Sequence, residues 1–115
     1  MKEFILINRV PVGYGQTEAK EVAAAWTQLT DEWKQAGKFI ISFVFPAEGS
    51  IVFGQPVSIS VGNVFADDLK IVSVIVIKAD NLGSGAEMAK ASPILRQAGS
   101  VEIREIMDKP IVPIS

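Results

Sequence analysis

Histidine and cysteine are both absent from the 115 residues. Without cysteine there is no disulfide, no thiolate nucleophile and no thiolate metal site. The missing histidine removes more, since it is the commonest metal ligand and the side chain that most readily exchanges protons near pH 7. Any acid–base chemistry therefore falls to carboxylates, lysine, tyrosine or a group on the substrate, and only a Ser-Lys nucleophile stays open. Charge of one sign is scarce too. Eleven basic against 13 acidic residues leave a net charge of −2 with no run of lysine or arginine, which argues against tracking a phosphate backbone. No apolar run approaches the roughly 18 to 20 residues that cross a bilayer. The opening MKEFILINRV is interrupted by Asn8 and Arg9 and lacks a small-residue cleavage site, so it reads as a strand and not a signal peptide. The expectations are a cytoplasmic protein with no nucleic-acid partner, no membrane partner, no metal and no cofactor.

What the chain has in quantity is apolar surface. Hydrophobic residues make up 49% and charged residues 21%, a rich mixture for one small domain, whose surface is large relative to its volume. Part of that surface is expected to be buried against a second copy.

The stretch Ile71 to Ile106 reads as strand, helix, strand. Ile71 to Ile77 is apolar in both alternation phases apart from Ser73, and Phe4 to Val10 is nearly so; strands of this kind are covered on both faces and sit centrally in a sheet. Between them, Val22, Ala25, Trp26, Leu29, Trp33 and Ala36 recur at helical spacing, predicting a helix with this stripe inward, capped by Thr17 and closed by Gly37. Phe39, Ile41, Phe43 and Phe45 share one phase of the next strand, and Ile51 to Phe53 follows as a short return strand. Val57, Ile59 and Val61 alternate with serines. Asp80 or Asn81 caps a short second helix, weakened by Gly83 and Gly85 and held by Leu82, Ala86, Met88 and Ala89. Pro93 ends it, and Val101 to Ile106 reads as an edge strand.

Two split strand-helix-strand units give an α+β, ferredoxin-like βαββαβ antiparallel sheet with an extra short hairpin and both helices on one face. The other face is left bare, so the expected assembly is a homodimer through that sheet face, a dimeric α/β barrel. Residues 1–108 form the single predicted domain and 109–115, with Pro110 and Pro113, an extended tail.

The segments AGKF (36–39), VFADDLK (64–70), IKADNL (77–82), ASPIL (91–95) and AGSVEIREI (98–106) resemble, in order and over nearly the whole chain, the YCII-related or DGPF-domain family of the dimeric α/β-barrel superfamily. The resemblance implies the same ferredoxin-like dimer. Where the family's Asp-Gly-Pro-Phe stretch is expected, this chain has Gly62-Asn63-Val64-Phe65, keeping the Phe and a turn-forming residue but losing the Asp. The His-Asp pair proposed for other members has no counterpart without histidine, and relatives that ligate haem through histidine are poor guides.

Five residues are candidates for ligand binding: Arg9, Tyr14, Phe65, Asp67 and Asp68. Arg9 interrupts an apolar strand, where a guanidinium needs an anionic partner, and Tyr14 lies in the glycine-flanked loop beyond; together they could orient an acidic or phenolic molecule. The plainer reading pairs Arg9 with a surface carboxylate. Adjacent carboxylates at Asp67 and Asp68 could bind a cation or split acid and base roles, although neighbours in a strand face opposite ways and solvated loop acids are the simpler account. Asn8 and Ser73, polar on apolar strands, most simply bond to each other. Function is expected to be small-molecule binding in an apolar pocket of a dimer. A cofactor-free lyase, isomerase or oxygenase and an accessory protein-interaction module stay open as alternatives.

Overall fold

The structure, a computed structural model, describes residues 1–46, 48–63 and 68–107. In chain order the elements are β1 (Lys2–Pro11), α1 (Gln16–Gln35), β2 (Phe39–Val44), β3 (Glu48–Phe53), β4 (Ser58–Asn63), β5 (Leu69–Ala79), α2 (Leu82–Ala89), a 3-10 turn (Pro93–Gln97) and β6 (Ser100–Glu105). Four strands make one sheet in the order β2-β5-β1-β6, with every neighbouring pair antiparallel. This is the ferredoxin-like α+β arrangement, and the two strands apolar in both phases, β1 and β5, are the central pair. The predicted tail lies outside the described residues.

Strand β1 alternates strictly. Phe4, Leu6, Asn8 and Val10 are buried while Ile5, Ile7 and Arg9 are only half-buried. Opposite them, Ile77, Ile75 and Ser73 face Phe4, Leu6 and Asn8. Leu29 and Trp33 of α1 and Ala89 of α2 join Phe4, Leu6, Ile75 and Ile77 in one core, so both helices cover the same face. Beyond a bulge near the Asn8–Arg9 step, a smaller cluster of Val10, Tyr14 and Ile94 extends this core. On the face turned away from the helices, Val74 lies opposite both Ile7 and Phe43, and Val76 opposite both Ile5 and Ile41.

Several local expectations need correction. Helix α1 begins one residue before Thr17: Gly15, which has no side-chain acceptor, is its N-cap, and the Gly15 N–H donates to Glu18 Oε2 at 2.9 Å, the reach-back half of a capping box. Gly37 follows the C-cap with φ of 72°, the left-handed conformation that glycine adopts without strain. Ala36, at the foot of the predicted stripe, is exposed. In β2 the four bulky residues do not share a face. Phe39 pairs with Ile77 but Ile41 pairs with Val76, because Ile40 is an extra residue that reverses the phase. Phe39 therefore turns to the core and Ile41 and Phe43 to the bare face. The predicted return strand is longer, Glu48–Phe53, and returns on β4 alone, so β3 and β4 form a separate two-stranded sheet.

Helix α2 is eight residues long and capped by Asn81, whose Oδ1 accepts from the Ser84 N–H at 2.8 Å. Leu82 is 56% exposed and contributes little packing. Gly85 is the buried contact instead, letting the helix sit close over Phe4 and Ile103. A Cβ added there would meet Ile103 Cγ2 at 3.6 Å and the Phe4 ring at 3.7 Å, which is ordinary van der Waals contact. Since glycine in a helix interior is about 0.8–1 kcal/mol worse than alanine, Gly85→Ala is expected to stabilise the fold by roughly 0.5–1 kcal/mol. Urea unfolding checks this, and a fall in the midpoint would show that the helix cannot yield even that much room.

Candidate functional site

Helix α1, the bulged strand β2 and the loop at Tyr14 enclose a cleft of about 380 Å³ between helix and sheet. That lies at the lower end of the range for small-molecule sites. Its helix wall carries Val22, Ala23, Trp26, Thr27 and Thr30, and its floor carries Ile75, Ser73, Ser42 and Val44. The register explains the floor: Ser42 lies opposite Ile75 and Val44 opposite Ser73, all four on the helix side. Tyr14 closes one end, held by a tight turn in which its N–H donates to the Pro11 carbonyl at 3.0 Å. An adjoining hollow of about 320 Å³ shares Tyr14, Ala19, Val44 and Val72 and reaches Lys70.

The described lining of the larger cleft holds no charged side chain. Its polar side-chain groups are hydroxyls and the Trp26 indole N–H. Thr30 donates to the Trp26 carbonyl at 2.9 Å and Thr27 to the Ala23 carbonyl at 3.2 Å, bonds that tie both to the helix backbone. Ser73 differs. Asn8, fully buried behind it, donates from Nδ2 to Ser73 Oγ at 3.0 Å, so the serine oxygen accepts from below and its own hydrogen is left to donate elsewhere. Asn8 Oδ1 accepts from no described group. The Tyr14 phenol is held above its ordinary pKa, first by burial and then by the Glu18 carboxylate. It therefore stays protonated at neutral pH, suited to hydrogen bonding and not to proton abstraction.

The five candidates do not converge. Tyr14 lines the cleft. Arg9 is on the other face of the sheet, where Nη1 donates to Glu102 Oε1 at 2.7 Å, and Arg104 holds the second carboxylate oxygen at 3.1 Å. Those two guanidinium contacts, Arg104 before Arg9, lower the Glu102 pKa. Asp68 is exposed at the entrance to β5 with φ of 61°, a left-handed conformation that Asp tolerates better than most residues. Phe65 and Asp67 lie outside the described residues. No group of three or more Asp and Glu gathers among the described residues as a metal cage would require, and no described helix is long and apolar enough to cross a membrane.

The floor residues were partly visible in the sequence. Asn8 and Ser73 stand out as polar breaks in apolar strands, and their bond is the one observed. Ser42 is the same kind of break in FIISFV. Trp26 could not be separated from Trp33 by spacing, yet Trp33 is buried in the core while Trp26 is half-buried and faces the cleft.

No protein-family model matches the chain, and no curated protein matches it. Among solved structures, GlnK of B. subtilis in complex with ATP is similar in fold, at 16% identity over 91% of this chain and 82% of that one, with a TM-score of 0.40. A likeness that distant bears on neither the ligand nor the assembly of this chain.

Proposed function

We propose that the protein is a small-molecule-binding homodimer whose cleft between α1 and the β2–β5 floor takes a neutral, largely apolar molecule carrying one hydrogen-bond acceptor. The observation that carries this reading is the uncharged lining, in which Ser73 is oriented from behind by Asn8. Transferring an ionised ligand from water into such a lining has a large desolvation cost with no counter-charge to offset it. This narrows the acidic ligands suggested by Arg9, whose carboxylate partner is already in place on the opposite face. The lack of a carboxylate or ammonium group in the described lining favours binding over acid–base catalysis. The ordered segments from 36–39 to 98–106 support a degenerate relative of the YCII-related family, one without the His-Asp pair.

The homodimer is supported by the bare sheet face, where Ile5, Ile7, Ile41, Phe43, Val74 and Val76 have no helix or strand over them among the described residues. Contiguous apolar patches larger than a few hundred Å² mark interaction surfaces, and the same chain is the simplest occupant under two-fold symmetry.

The test is a thermal-shift comparison of neutral aromatic ketones, quinones and lactones with carboxylates and amines of equal size. A neutral ligand at about a hundredfold excess over its Kd should add roughly 2.7 kcal/mol. Ala23→Phe, on the exposed wall of the cleft, is expected to abolish that shift while leaving the unliganded melting temperature nearly unchanged. Stabilisation by the charged compounds alone, or an undiminished shift in Ala23→Phe, would place the site elsewhere.

A further inference from the structure

We propose that the β3–β4 hairpin of one copy pairs along the β2 edge of the other and supplies the wall that the cleft lacks, a proposal that rests on the cleft and the homodimer put forward above. The two free edges of the main sheet are built differently. Edge β6 carries Glu102, Arg104 and Glu105, with ion pairs to Arg9 at 2.7 Å and Lys2 at 3.6 Å. Charges of this kind keep an edge strand from pairing with another chain. Edge β2, FIISFV, has none, and Ile41, Phe43 and Val44 are 44%, 52% and 79% exposed. One edge is guarded and the other is open for a strand.

The hairpin is a matching unprotected element. A two-stranded ribbon is at best marginally stable alone in water, yet β3 and β4 form a sheet by themselves and pack against neither helix nor main sheet among the described residues. Their register places Val52 beside Ile59 and Ser50 beside Val61, so Val52, Val57, Ile59 and Val61 line one face with exposures of 64%, 69%, 66% and 74%. The hairpin carries no charge between Ser50 and Asn63. Its six-residue strands match β2 in length, about 20 Å each. Pairing within the chain would be the most local solution, since β3 follows β2 almost directly, but β3 bonds only to β4.

A strand added outside β2 also completes the site. Ser42 and Val44 form the outer floor of the cleft, and no described strand or helix flanks β2 beyond them. Ligand sites bury most of a small molecule, and a hairpin from another copy would supply the burial that the described residues leave open on this side.

Because the chain has no cysteine, single cysteines report on this without background. Ile59→Cys on the hairpin and Thr27→Cys on the exposed helix wall are placed in differently tagged chains, mixed, and treated with a short bis-maleimide. The expected result is a covalent dimer joining one chain of each kind, falling to background when Val44→Lys puts a charge on the β2 edge. Two results overturn the proposal while leaving the homodimer standing: no cross-link between chains although sedimentation shows a dimer, or a cross-link confined within single chains of the Ile59→Cys/Thr27→Cys double variant. A monomer in sedimentation at micromolar concentration overturns the homodimer and this pairing together.

Discussion

Val74→Glu is expected to leave a folded monomer. Val74 is at the middle of the bare face, on a central strand, with Ile7 on one side and Phe43 on the other. It is half-buried within the subunit, so a glutamate there can reach water as long as the face is open. Against a second sheet about 10 Å away, the same carboxylate would be enclosed beside Ile7 and Phe43, while the cations of this face, Arg9 and Arg104, are already engaged by Glu102. An uncompensated buried charge costs about 3–5 kcal/mol, which weakens association by roughly two to three orders of magnitude. Two-fold symmetry places the substitution in the interface twice. Sedimentation equilibrium at micromolar concentration reads the outcome, with far-ultraviolet dichroism confirming the fold. Val74→Ala, which removes volume without adding charge, should remain a dimer. A Val74→Glu protein that still sediments as a dimer would show that the subunits associate through some other surface.

Gly99→Ala is expected to be among the most damaging of small substitutions. A Cβ at this position would lie 2.6 Å from the Arg9 carbonyl oxygen, 2.9 Å from that of Ile94 and 3.2 Å from Ile94 Cβ. Two of these atoms are backbone, and neither can swing aside. Ile94 is fully buried, and the Gly99 N–H already donates to its carbonyl at 3.0 Å. Relief requires β6 to move away from β1 where Arg9 and Ser100 pair, or the 3-10 turn to lift from the core. Overpacking of this kind costs about 1–3 kcal/mol, occasionally more, and should lower the melting temperature by roughly 5–15 °C. Comparing Gly99→Ala with Gly85→Ala is informative because the chemical change is identical. One methyl meets fixed carbonyls and the other meets side chains at contact distance, so opposite signs are expected from the same thermal melts.

These two glycines show where a sequence stops being readable. The central strands were legible because burial on both faces leaves apolar residues in both phases, and the stripe from Val22 to Trp33 marked the inward side of a helix. A glycine in a short helix, by contrast, looks the same whether it weakens the helix or admits a neighbour, and only the nearness of Phe4 and Ile103 to Gly85 decides. Arg9 illustrates a different limit. Alternation placed it in phase with Ile5 and Ile7, but which phase faces the helices depends on α1 and α2, and that choice sends its guanidinium to Glu102 and away from Tyr14. Of the candidate site, Tyr14 and the Asn8–Ser73 pair were legible as exceptions to local pattern. Ser42, Val44 and the helix wall became neighbours only through the pairing of strands distant in sequence.

The surplus residue in β2 reaches further than its own strand. In an uninterrupted strand starting from Phe39, Ile41 and Phe43 would fall on the helix side, opposite Ile75 and Ser73, where Ser42 and Val44 now lie. A branched aliphatic side chain and a phenyl ring would then stand where a hydroxyl and an isopropyl group leave space, and the 380 Å³ cleft would be narrowed. The cavity owes part of its room to one surplus residue in β2, which sends two large side chains to the opposite surface. The same shift that opens the interior thereby enriches the exterior, so the hollow proposed for a ligand and the greasy plane proposed for a second subunit both gain from a single surplus residue.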